Sequence, residues 1–70
     1  MKSTYDLKDI ANSGGSLELD ASKYSTYDLK EIARSLNDGS KLYLRNLDEK
    51  STYDLKDIAK AKKTAVIFYL

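Results

Sequence analysis

Leu29, Ile32, Ala33 and Leu36 fall at i, i+3, i+4 and i+7, an apolar stripe of helical period, while Lys30, Glu31, Arg34 and Ser35 hold the opposite side. The same stripe recurs as Leu7, Ile10 and Ala11, and again as Leu55, Ile58 and Ala59. Behind the recurrence is a nine-residue string, Ser-Thr-Tyr-Asp-Leu-Lys-Asp-Ile-Ala, at residues 3–11 and unchanged at 51–59. It also stands at residues 25–33, with Glu31 replacing the second Asp. Each copy opens on a Ser with an Asp three residues later. In the middle copy Ser25 and Asp28 predict a capping box, with the carboxylate in the first turn where the helix dipole favours it. Three helices follow. Asn12-Ser13-Gly14-Gly15 is expected to end the first on a left-handed glycine cap, and Asn37-Asp38-Gly39 to end the second about a turn later. The third runs into Lys60, Lys62 and Lys63, cations suited to a helix C-terminus.

After each helix the period drops to two. Residues 16–20 (Ser-Leu-Glu-Leu-Asp) and 41–45 (Lys-Leu-Tyr-Leu-Arg) alternate apolar and polar, while residues 64–70 are β-prone and apolar on both faces. The order α-β-α-β-α-β, with the string at offsets of 22 and 26 residues, predicts one α/β domain of three α-β repeats at approximately 2–21, 24–47 and 50–70. Helix-linked strands run parallel with right-handed crossovers. The expected architecture has two layers, three helices on one face of a three-stranded parallel sheet in the order 1-2-3. Equal spacing from the strings places Leu42 beside Phe68 and Leu44 beside Leu70, with Leu17 and Leu19 completing the helix-facing rows. The opposite face then carries Glu18 and Asp20, next Tyr43 and Arg45, and last Ala65, Ile67 and Tyr69. Asp20 and Arg45 are expected to pair across strands.

A strand, loop and helix unit of this length, with Leu42-Tyr43-Leu44-Arg45-Asn46 followed by Asp54-Leu55 and Ile58-Ala59, resembles a leucine-rich-repeat solenoid that pairs each strand with a full helix. The resemblance implies a stacked α/β architecture and no particular activity. Asp20 and Ala21 stand where the first unit would carry the counterpart of Asn46.

Chemistry is sparse. Among 70 residues there is no Cys and no His, which removes disulfides and the usual zinc ligands. The paired carboxylates Asp6 with Asp9, and Asp28 with Glu31, divide between helix caps and solvated faces. The Ser and Thr residues sit at caps and turns, and Gly14-Gly15 precedes a strand rather than opening a helix as a phosphate cradle does. No catalytic residue, cofactor or metal is expected. The 12 basic and 11 acidic side chains leave the chain near neutral, which disfavours a nucleic-acid or membrane-surface binder. The longest apolar run, residues 65–70, is too short to cross a bilayer, and no signal segment opens the sequence. The cytoplasm is the default location.

What remains is interaction. A third strand apolar on both faces makes a poor bare edge, so a second copy of the chain is the expected cover, with Tyr43, Arg45, Ala65, Ile67 and Tyr69 on the contact surface. Tyr5, Tyr27 and Tyr53 form the other candidate feature. Tyr27 lies about 160° from Leu29 around the helix, nearly opposite the core stripe. Packing between adjacent repeats is the first reading of that tyrosine row, and an exposed contact surface the second. A self-associating interaction module is therefore expected. The alternatives are a regulatory binder of another protein or of nucleic acid, and a duplicated or designed scaffold without selected function.

Overall fold

The computed structural model describes residues 2–70. Each string makes a helix: α1 (Thr4–Asn12), α2 (Thr26–Arg34) and α3 (Thr52–Ala61). Ser3, Ser25 and Ser51 are the N-caps, each hydroxyl accepting the backbone N–H three residues on. The reciprocal half of the capping box forms only in α3, where the Asp54 carboxylate accepts the Ser51 N–H. In α2, where the full box was expected, only the serine half is made. The strands β1 (Leu17–Asp20), β2 (Leu42–Arg45) and β3 (Val66–Phe68) pair in parallel in the order β1-β2-β3. A short 3-10 turn, Ala21–Lys23, follows β1.

The predicted α/β architecture is the one observed, with three helices and a three-stranded parallel sheet. Its core gathers on the middle repeat, where Leu29, Ile32, Leu42 and Leu44, joined by Ile58, are fully buried. Neighbours on both sides cover that repeat. The outer repeats lack one neighbour each, and their strands keep Leu17, Leu19, Val66 and Phe68 only partly covered.

Three boundaries differ from expectation. Helix α2 ends at Arg34, the same length as α1, because Ser35 caps it and turns its hydroxyl back onto the Glu31 carbonyl at 3.0 Å. Leu36 continues the apolar stripe from just beyond the helix and is buried there. Strand β3 spans three residues rather than seven, since Thr64 adopts φ 66° in the turn that precedes it. The register of β3 is also two residues earlier than expected: Leu42 pairs with Val66 and Leu44 with Phe68. The equal-spacing assumption fails because Leu42 follows Ala33 by nine positions while Val66 follows Ala59 by seven. The longer loop holds Leu36 and the Gly39 turn (φ 89°), whereas α3 reaches its strand through residues 62–65, a turn that includes the left-handed Thr64. A slip of two leaves the residues within β3 on their intended faces, so Val66 and Phe68 still point at the helices.

Candidate interaction surface

The uncovered face of the sheet brings Glu18, Tyr43, Arg45, Ile67 and Tyr69 together. Tyr43 and Ile67 are direct cross-strand partners, and Tyr69 is held beside them by its N–H, which donates to the Leu44 carbonyl at 2.9 Å. The Tyr43 and Tyr69 rings lie 6.2 Å apart with planes inclined by 29°, a stacked pair. The Arg45 guanidinium sits over the Tyr69 ring, 4.5 Å from its centroid, at a distance suited to a cation–π contact. Its Nε donates to Glu18 Oε2 at 2.5 Å. That hydrogen bond, reinforced by the Glu18 charge, holds the guanidinium even more firmly protonated than usual. The result is a continuous polar-to-aromatic sequence across three strands, from Glu18 through Arg45 to Tyr69 and Tyr43, with Ile67 alongside.

Two expectations about this face change. Ala65 does not belong to it: at 6% exposure it is part of the buried cluster, because it precedes the shortened β3 and its carbonyl accepts the Leu42 N–H at 2.8 Å. Arg45 pairs with Glu18, not with Asp20, although Asp20 is its direct neighbour in the register. Asp20 is engaged elsewhere. Its carboxylate caps the 3-10 turn, accepting the Ser22 hydroxyl at 2.5 Å and the Ser22 N–H at 3.0 Å. The Ser22 hydroxyl, then the Asn46 side chain, hold the Asp20 carboxyl below its ordinary range. The spacing Asp20-Ala21-Ser22 was the available sign, since an Asp often bonds the backbone two residues on and so leaves the open face. Glu18, one position before Leu19, was the missed partner.

The three string tyrosines are exposed at 76% (Tyr5), 66% (Tyr27) and 78% (Tyr53), so packing between repeats is not their role. They project from equivalent positions of three adjacent helices. Tyr53 receives Lys56, whose Nζ lies 5.7 Å from the ring centroid. Tyr5 borders a shallow groove of about 210 Å³ with Lys8, Asp9, Asn12 and Ser35, a mixed lining with no buried polar group aimed into it. Among the described residues no cluster of three or more acidic side chains could hold a metal ion, and no helix is long and apolar enough to cross a membrane.

Comparison with known proteins found no match to a family model, to a curated protein or to a solved structure.

Proposed function

We propose that this chain is a small protein-interaction module that associates with further copies of itself and performs no catalysis. The observation that carries the proposal is the ordered cluster of Glu18, Arg45, Tyr69, Tyr43 and Ile67 beside an open, apolar strand edge. Tyrosine and arginine dominate the energetics of protein interfaces because each offers a large rigid area with a polar tip. Here stacking and the ion pair already restrict the side chains, so docking orders little that is not ordered before. Strand β3 supplies the second element, an unprotected edge of the kind that pairs with another strand. The near-equal charge balance supports a protein partner over nucleic acid.

Sedimentation equilibrium across a wide concentration range tests this. Mass should rise with concentration, and Tyr69→Ala or Arg45→Ala should weaken association by about tenfold or more, the effect of losing an interface anchor. A monomer mass at every concentration refutes the proposal. The exposed row of Tyr5, Tyr27 and Tyr53 favours a second reading, a regulatory contact with a different protein through the helical layer. Such a contact would be insensitive to substitutions at Tyr69 and Arg45.

A further inference from the structure

The two ends of the repeat stack expose opposite halves of one interface. Ile10, Ile32 and Ile58 occupy the same position of the string, yet Ile10 is 40% exposed while Ile32 and Ile58 are fully buried. The difference is a preceding repeat: α1 and β1 lie before Ile32, α2 and β2 before Ile58, and none lies before Ile10. The Leu and Ala positions show the reverse. Leu29 and Ala33, and Leu7 and Ala11 before them, are buried, while Leu55 and Ala59 remain partly open because no repeat follows α3. One end therefore lacks the cover for its isoleucine, and the other lacks the cover for its leucine and alanine. These are the two sides of the junction the molecule already makes twice internally.

Resting on the self-association proposed above, we infer that copies add head to tail, the α3–β3 end of one copy taking the place of a preceding repeat against the α1–β1 end of the next. Leu55 and Ala59 of one copy then cover Ile10 of the next. Strand β3 lies beside the following copy's β1 in the register used inside, with Val66 against Leu17 and Phe68 against Leu19. The edges are compatible. Leu17 N and Leu19 turn toward β2, so the backbone groups of Glu18 and Asp20 face outward; likewise Ala65 O and Tyr69 N turn toward β2, leaving those of Val66 and Phe68 outward.

A hydrogen-bond ladder marks the same direction. Lys2, Tyr24 and Lys50 each stand immediately before a capping serine. The Tyr24 hydroxyl donates to the Lys2 carbonyl at 3.4 Å, and Lys50 Nζ donates to the Tyr24 carbonyl at 2.8 Å. Each repeat thus reaches back to the one before it. Lys2 is a lysine like Lys50, exposed, and placed to reach back to the Lys50 carbonyl of the preceding copy. The ion pair of Lys8 with Glu31 (3.8 Å) contributes no such continuity, because Asp57 replaces the glutamate at the second junction and Lys30 makes no pair with it among the described residues. Apolar cover and strand pairing carry the junction. Because the two surfaces differ, the contact is heterologous: it propagates unless the rotation between copies closes a ring, and a two-fold dimer is excluded.

The test uses one blocked end per variant. Ile10→Lys blocks the α1–β1 end and Ala59→Lys the α3–β3 end, and the shared charge prevents the two blocked ends from pairing. Wild-type chain should give a concentration-dependent series of masses, each variant alone should remain monomeric, and a 1:1 mixture should give a dimer and nothing larger. Recovery of that dimer also proves both variants folded. If Ala59→Lys does not fold, adding excess Ile10→Lys to wild type serves instead, since it should terminate growth and shorten the series. A wild-type dimer untouched by Ile10→Lys overturns head-to-tail addition while leaving self-association standing. Wild-type monomer at every concentration overturns both, and the open ends then need another occupant, such as a further repeat on the same polypeptide.

Discussion

Replacing isoleucine by alanine at the three equivalent positions separates what the string does from where it stands. The change removes three methyl or methylene groups, a transfer loss of about 2.4 kcal/mol when the side chain is fully buried. At Ile32 and Ile58, both fully buried, an uncollapsed cavity adds to this, so the expected cost is about 3 kcal/mol, within the usual range for such truncations. At Ile10 only 60% of the side chain is covered and water fills the space left behind. The transfer loss falls to about 1.4 kcal/mol, and the better helix propensity of alanine offsets some tenths more, leaving about 1 kcal/mol. Against the total stability expected for a domain of this size, about 3.5–10 kcal/mol, the first two variants are severe and the third mild. Urea unfolding followed by far-UV circular dichroism, at a concentration low enough to keep the chain monomeric, measures all three. The midpoint should move by about 3 M for Ile32→Ala and Ile58→Ala but about 1 M for Ile10→Ala, given a slope near 1 kcal/mol/M for so small a protein. Equal costs at the three positions would refute the account of the ends, because the string would then be buried alike in every repeat.

Gly14→Ala should cost about 1–2 kcal/mol, since φ 104° lies where a Cβ is strained; the melting temperature reports it, and an unchanged value means the turn relaxes. Substituting Tyr5, Tyr27 and Tyr53 together by serine should leave each site within about 0.5 kcal/mol of wild type, as for other exposed positions; an unfolded triple variant would return these tyrosines to a packing role. Stability should fall in acid partly through Asp20. Its folded carboxyl titrates below the ordinary value of 3.8, so its contribution is present above that pH and is lost as pH drops through the lowered one. Asp20→Asn should flatten this part of the acid limb, and an unaltered limb removes Asp20 from the explanation.

The helix starts were legible because capping chemistry is local: a serine followed by an aspartate determines its own geometry within four residues. The open sheet face was legible because a period of two survives any even slip in register. The misses have the opposite character. Leu36 extends the stripe whether or not the chain is helical, so periodicity alone cannot end α2 at Arg34. Thr64 takes a left-handed conformation, uncommon for a β-branched residue, and nothing in its type announces the short turn that moves β3 by two residues. Ala65 followed from that turn into the core. Arg45 stands between two carboxylates on β1, and the choice of Glu18 depends on Ser22 and Asn46 holding the other, a competition among residues up to 28 positions apart.

Identity of sequence does not give identity of role. Solenoid proteins ordinarily close their stacks with terminal repeats whose outer faces are polar, because an uncovered repeat surface is an invitation to the next one. Here the same nine residues, apart from Glu31 in the inner copy, serve the inner and outer repeats alike, so the outer ones inherit Ile10 at one end and Leu55 and Ala59 at the other without modification. What differs between the copies lies in the strands and loops: charged on β1, mixed on β2, apolar on β3. The repeated part therefore supplies a junction that can be made again, and the varied part supplies the face that such an assembly would present. On this division of labour, substitutions in the string should alter how many copies join. Substitutions at Tyr69, directly after the β3 edge that joins, and at Arg45 stacked on it should weaken the same association.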